Sequence, residues 1–320
     1  MNEETKTFKE EQQQTLSWPF KAWTLLSLIR TQTSLIQCIT NFVSMDLMAN
    51  TLLSSGASPA MIHSLQEIPD FTPNIKSLCI NIGTLTPDWL PSMKSAAMVA
   101  TQLGIPWVLD PVAVSASEYR MKACLELVGL KPSVIRGNAS EICALGCGSK
   151  GADKVLFITS KFCTHIKGST VYMELTIRNV QTDVSYGVRG QGVDSSHESM
   201  DAVEAAKSLA RASGAIVAVS GAVDIVTDGQ QVVGAHNGVA MMQRITATGC
   251  AVTALIATFV AVDPLHPLEA TVSALSIFGV AGEMAMDMAK GPASLRMHLI
   301  DCLYGLDQTS VLSRVNITSI

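Results

Sequence analysis

Short apolar runs alternate with longer segments of helical period along most of this chain. Asp46 to Ser55 repeats its apolar positions at helical spacing and stops at Gly56, and Asp88 to Leu103 does the same before Gly104. Glu118–Val128 and Asp201–Ala212 read as further amphipathic helices. Ser77–Ile82, Pro106–Ala113, Ser133–Arg136 and Ala215–Ser220 are apolar runs of strand length. Ile225–Thr227 and Gln231–Ala235 flank Asp228-Gly229, a strong hairpin signal. Three apolar helices follow, at about 249–262, 266–289 and 294–305. Strands alternating with helices predict an α/β fold with a mainly parallel sheet covered on both faces. Residues 1–33 open with MNEETKTFKEEQQQ and one short apolar stretch interrupted by Lys21, and are expected to form a poorly ordered leader. A single domain is expected over residues 34–310.

Composition narrows the function classes. Apolar residues make up 48% of 320 and charged residues only 15%, so much of the chain is expected to be buried, subunit interfaces included. The net charge of −5, without a Lys/Arg stripe, argues against nucleic-acid binding. Trp18–Ile29 is too short to cross a bilayer, and no other segment is read as a span of ~20 apolar residues, so no membrane contact is expected. The eight cysteines form neither a secreted disulfide framework nor a zinc pattern, which points to a reducing, cytoplasmic setting. The six histidines show no ligand-like spacing.

The chemistry gathers where strands end, which is where ligands of such sheets bind. Asn81-Ile-Gly83-Thr84 follows one strand and Asp110-Pro111 lies in another. Arg136-Gly-Asn138 with Glu141, and Ser220-Gly221 with Asp224, follow two more. Residues Thr246-Ala-Thr-Gly-Cys-Ala251 then lead into an apolar helix. Thr248 is the expected N-cap, Gly249 permits a tight turn, and Cys250 falls in the first helical turn. Free amides and the positive end of the helix dipole at such a start suit a phosphate or a developing oxyanion. Gly146-Cys-Gly148-Ser-Lys-Gly151 matches G-x-G-x-x-G by letter, yet it follows a helical segment and precedes a strand-like one. That order is wrong for a dinucleotide fold.

Taken in order, Cys38-Ile-Thr-Asn-Phe-Val-Ser-Met45, Gly56-Ala-Ser-Pro-Ala-Met61, Asn81-Ile-Gly-Thr-Leu85 and Asp110-Pro-Val112 resemble motifs of the hydroxyethylthiazole kinase family. Arg136-Gly-Asn-Ala-Ser-Glu141, Val219-Ser-Gly-Ala-Val-Asp224 and Ala247-Thr-Gly-Cys250 continue the series. The resemblance covers about residues 34–153 and 192–308. It implies a ribokinase-like fold, a homotrimer with active sites between subunits, and ATP-dependent phosphorylation of 4-methyl-5-(2-hydroxyethyl)thiazole on the way to thiamine. By the same resemblance Met61, Ala247, Asn41 and Val43 line the thiazole pocket, and Arg136, Ser220 and Asn138 meet ATP. Glu141 and Asp110 have the chemistry to hold Mg²⁺ directly or through its waters. The 248–250 amides would face the moving phosphoryl group, with Cys250 in the place where related sugar kinases carry an Asp base. Ala247 stands where many relatives carry Gly.

Residues 154–191 lie outside the family pattern, between Gly151-Ala-Asp153 and the similar Gly192-Val-Asp194. Val155–Thr159 and Ser169–Ile177 within them are strand-prone. Two origins stand side by side: a surface insertion, costing only about 2 kcal/mol in loop closure, or translated non-coding sequence. Two other functions also stay open. One is a kinase of another small heterocyclic alcohol, such as hydroxymethylpyrimidine. The other is a silent binding or assembly protein disabled by the added segment.

Overall fold

Short strands of three to five residues, mostly apolar and mostly buried, build the sheet, because strands buried on both faces need no polar alternation. The computed structural model describes residues 17–146, 155–166, 169–180 and 199–320. The chain runs through α1 (Trp18–Gln32), β1 (Leu35–Ile39), α2 (Met45–Ser55), β2 (Ser58–Ala60), α3 (Ile68–Phe71) and β3 (Ser77–Asn81). It continues with α4 (Trp89–Gln102), β4 (Trp107–Asp110), α5 (Glu118–Val128), β5 (Val134–Asn138) and α6 (Ala139–Gly146). Next come β6 (Val155–Ile166), β7 (Ser169–Val180), α7 (Val203–Ser213), β8 (Ile216–Ser220), β9 (Asp224–Thr227) and β10 (Val232–Ala235). Helices α8 (Thr248–Val262), α9 (Pro267–Met286), α10 (Pro292–Gly305) and α11 (Gln308–Arg314) precede β11 (Ile317–Ser319).

Nine strands form one sheet in the order β11-β10-β9-β8-β5-β4-β3-β1-β2. From β2 to β8 every pairing is parallel, and β9, β10 and β11 add an antiparallel edge. One face packs on α1, α2, α8, α9 and α10, and the other on α4, α5, α6 and α7. Helix α8 is buried over Ala251–Val260, so it lies against the sheet rather than beside solvent. Its N-terminus therefore meets the carboxyl ends of the strands.

Several expectations need correction. The supposed leader contributes α1: Ala22, Leu25, Leu26 and Ile29 enter the core, and of this segment residues 1–16 lie outside the described residues. Lys21 does not break this helix because it sits on its outer side, 3.8 Å from Glu269. Thr33, left-handed at φ 44°, stops α1. One turn earlier the Arg30 guanidinium donates to the carbonyls of Leu303, Tyr304 and Leu306. Nor does the domain end at 310, since β11 pairs with β10. Helix α9 is long and apolar enough to cross a membrane, contrary to the expectation that no segment reached that length, and most of it is buried in the fold.

The strand expected over 106–113 is only Trp107–Asp110. Pro111 has no amide proton for a ladder bond, and Ala113 turns left-handed at φ 51°. The Asp228-Gly229 hairpin widens to residues 228–231, where Asp228 Oδ1 accepts from the amides of Gln230 and Gln231. Strands β6 and β7 pair antiparallel as a separate two-stranded sheet. The repeated junctions at 151–153 and 192–194 lie outside the described residues. Of the G-x-G-x-x-G match only Gly146 is described; it closes α6, and an added Cβ would overlap the Ala205 carbonyl of α7.

Candidate active site

Parallel strands that end together bring distant residues onto one shelf. Asn41 and Val43 follow β1, Met61 follows β2, Asn81 ends β3 and Asp110 ends β4. Arg136 lies in the middle of β5 and Asn138 at its end, Glu141 in the first turn of α6, and Ser220 at the end of β8. Asn81 pairs in register with Asp110, and Arg136 and Asn138 with Ala218 and Ser220. The polar side chains at these ends meet the start of α8.

Asp110 anchors the group and is only 1% exposed. Its Oδ2 accepts from Asn81 Nδ2 at 2.9 Å and Thr253 Oγ1 at 2.8 Å, and lies 4.0 Å from Arg136 Nη1. Its Oδ1 is buried without a hydrogen-bond partner among the described residues. Burial pushes the carboxyl pKa up, against the pull of Arg136, Thr253 and Asn81. Arg136 donates from Nε to Ser220 Oγ at 2.8 Å, and a second time from Nη2. Glu141 is held by amides: Ala113 N–H donates to Oε1 and Asn138 N–H to Oε2, both at 2.8 Å. Asn138 Oδ1 in turn accepts from the Glu141 amide. Burial first and the Asp110 charge second push Glu141 up to about 7.

The turn before α8 differs from expectation. The N-cap is Ala247, left-handed at φ 66° and without a side-chain cap bond, and Thr248 is already helical. The Thr248 hydroxyl points backward and donates to the carbonyls of Met242 and Ile245, a local competition that takes it away from capping. The N-cap residue gives the first amides of α8 no side-chain cap, as an anion site requires. Gly249 faces Arg136 so closely that a Cβ there would lie 2.7 Å from Nη1. Cys250 Sγ accepts from Asn41 Nδ2 at 3.5 Å. The same Asn41 amide donates to Asn81 Oδ1 at 2.8 Å, while Asn41 Oδ1 accepts from the Val43 and Ser44 amides. Burial, then the Asp110 charge, push the Cys250 thiol up to about 11.

Asn41, Asp110, Arg136, Asn138, Glu141, Ser220, Gly249 and Cys250 thus converge. Met61 and Ala247 pack on the same core cluster as Cys250. The Val43 side chain is 60% exposed, so it lines a rim rather than a closed wall. Sequence reading missed the roles of Thr253, inside an apolar helix, and of Arg120. The Arg120 guanidinium donates to the carbonyls of Ile82, Gly83 and Val112, tying together the loops after β3 and β4. Of the histidines, His63 accepts from the Thr40 amide and bonds the Met61 carbonyl, a structural role.

The donor set suits a cation shared with phosphates. Among the described residues no three His, Cys, Asp or Glu side chains cluster as a metal cage. One orphaned buried carboxylate oxygen, with a second carboxylate nearby, fits Mg²⁺, which keeps waters and nucleotide oxygens as its other ligands. Glu141, with both oxygens already on amides, fits a water-mediated contact better than a direct one.

The profile of the hydroxyethylthiazole kinase family matches residues 26–161 and 159–309. This chain belongs to that family. A hydroxyethylthiazole kinase of Arabidopsis thaliana is 60% identical over 301 residues, 94% of this chain and 96% of that relative. One of Zea mays is 55% identical over 310 residues, 97% of each chain. The solved structure of a hydroxyethylthiazole kinase protein from Pyrococcus horikoshii OT3 superposes with a TM-score of 0.76 at 33% identity, covering 93% of this chain and 98% of that one. The fold is therefore ribokinase-like, as the family resemblance implied. The two family-matched stretches meet at residues 159–161, inside β6.

Proposed function

We propose that this chain transfers the γ-phosphoryl group of ATP to the hydroxyl of 4-methyl-5-(2-hydroxyethyl)thiazole. The observation that carries the mechanism is the meeting of three charge-stabilising elements: the α8 amides, the Arg136 guanidinium against Gly249, and the free oxygen of Asp110. Phosphoryl transfer needs chiefly alignment and neutralisation of charge on the phosphate oxygens. Arg136, pinned by Ser220, presents its fork to the phosphates. The amides of Thr248, Gly249 and Cys250 cradle the moving group. A bound Mg²⁺ would neutralise phosphate charge, held by Asp110 and, through water, by Glu141. Asn138 acts by fixing Glu141.

The substrate alcohol sits beside Cys250 and Asn41, with Met61, Ala247 and Val43 around the ring. Because Cys250 stays a thiol near neutral pH, it orients the hydroxyl rather than removing its proton. In a loose transition state that proton is lost late, so positioning carries most of the rate. Phe42 and Val43, 64% and 60% exposed beside Asn41, form the apolar rim that a neighbouring subunit of a homotrimer would cover. Six free cysteines among the described residues agree with a reducing, cytoplasmic setting. We read residues 154–191 as an insertion outside the site, supported by the separate β6–β7 sheet.

A coupled ADP-release assay tests the reading. Turnover with the thiazole alcohol at least tenfold above that with hydroxymethylpyrimidine is expected. Preference for the pyrimidine would replace the substrate, and absence of turnover with both would favour a silent assembly protein.

A further inference from the structure

We propose that Thr253 and Asn81 are positioning residues that occupy one oxygen of Asp110 so that the other is presented to the divalent cation of the nucleotide. This rests on the kinase reading above. It goes beyond that reading by assigning roles to two residues that donate to Asp110.

The partition of the carboxylate is the first ground. Both donors reach the same atom, Oδ2, at 2.9 Å from Asn81 Nδ2 and 2.8 Å from Thr253 Oγ1. Oδ1 is buried as well and has no hydrogen-bond partner among the described residues. An anionic oxygen left bare in the interior costs stability unless something charged or polar meets it. Two donors on one oxygen and none on the other is what a carboxylate looks like when one lone-pair set is reserved for a ligand.

The second ground is where these donors come from. Thr253 lies one turn into α8, fully buried on a helix otherwise almost wholly apolar. Its single hydroxyl proton has two acceptors in reach, Asp110 Oδ2 and the Gly249 carbonyl at 3.0 Å. The charged oxygen is the stronger acceptor, so the proton goes to Asp110. Thr253 thereby fixes the cation carboxylate on β4 against the helix turn whose amides receive the phosphoryl group. Asn81 does the matching work on the sheet side. Its Oδ1 accepts from Asn41 Nδ2 and from the Gly83 amide at 2.9 Å, which sets the carboxamide so that Nδ2 points to Asp110. Asn41 also reaches Cys250, so one chain of side-chain bonds runs from the substrate side of the site to the cation side.

Thr253→Val keeps the side-chain shape and deletes the donor; Thr253→Ser keeps the donor. Three quantities separate a positioning role from a structural one: kcat, KM for the thiazole alcohol, and binding of Mn²⁺ to the protein with ADP, read from the EPR signal of free Mn²⁺. For Thr253→Val a fall of roughly tenfold is expected in both kcat and Mn²⁺ affinity, with KM for the alcohol changed less than about twofold and Thr253→Ser close to wild type. Asn81→Ala should weaken Mn²⁺ binding in the same direction. Unchanged Mn²⁺ affinity in folded Thr253→Val, or failure of Thr253→Ser to restore it, would overturn the proposal. So would loss of folding in both Thr253→Val and Asn81→Ala, which would make the bonds structural. If wild type binds Mn²⁺–ADP in a Thr253-dependent manner yet does not phosphorylate the alcohol, the substrate assignment fails and this proposal stands.

Discussion

Adding one methyl group at Gly249 should separate activity from stability. In Gly249→Ala the new Cβ would lie 2.7 Å from Arg136 Nη1, 3.3 Å from Nη2 and 3.4 Å from Cζ. An unstrained contact needs about 3.5 Å, so the guanidinium must retreat by roughly 0.8 Å. That retreat moves the fork away from the position in which Nε bonds Ser220 Oγ at 2.8 Å. The folding cost is small, because the displaced group is the tip of a long side chain. Overpacking costs about 1 kcal/mol at its low end, and alanine regains about 1 kcal/mol over glycine within a helix. Net stability should change by less than about 1 kcal/mol. Catalysis should suffer more, since misplacing a catalytic group by about 1 Å costs on the order of 100-fold, or about 2.7 kcal/mol of transition-state stabilisation. Steady-state kinetics with varied ATP, beside a thermal melt, measures both. Wild-type kcat/KM in a normally folded Gly249→Ala protein would show that Arg136 does not act from this position.

Three further outcomes follow from the same geometry. Ala247→Gly should stabilise the protein by about 0.5–1 kcal/mol in urea melts, since relief of the left-handed backbone at φ 66° exceeds the added freedom of glycine in the unfolded chain. Cys250→Ser should keep kcat/KM within about tenfold at pH 7.5, because a thiol with a pKa of about 11 is almost wholly protonated there; a loss beyond about 1,000-fold would instead mark it as the base. Asp224 is raised from 3.8 to about 6, chiefly by burial, so between about pH 4 and 6 the folded state keeps a proton that the unfolded chain has released. Its contribution to stability therefore declines as pH rises through that window. Asp224→Asn should accordingly gain stability relative to wild type from pH 4 to pH 7 in urea melts, and a constant difference would refute the shift.

The parallel sheet and its polar strand ends were legible in the sequence because buried strands advertise themselves as apolar runs, and Asp110 and Ser220 interrupt them only at their ends. Strand β1 escaped notice since Gln37 breaks its apolar run. Only the fold shows that residue satisfied, donating to the Ile62 carbonyl and accepting from Thr72. Helix α1 escaped for a similar reason: it packs on α8, α9 and α11, more than 200 residues away, and only Ser17 and Pro19 mark its start locally. Thr248 illustrates a different limit. Its side chain had two backbone bonding options, and the carbonyls of the preceding turn won. Thr253 was the least visible residue of all. A threonine within an apolar helix looks like filler until the sheet places a carboxylate beside it.

Phosphorus-31 NMR of the purified full chain with Mg–ATP and 4-methyl-5-(2-hydroxyethyl)thiazole is the most direct test of the assigned reaction. One phosphomonoester signal should grow in step with ADP, and it should be absent when the hydroxyl is methylated. ADP formation with inorganic phosphate alone, or no change in the ATP signals, would contradict phosphoryl transfer to the thiazole alcohol.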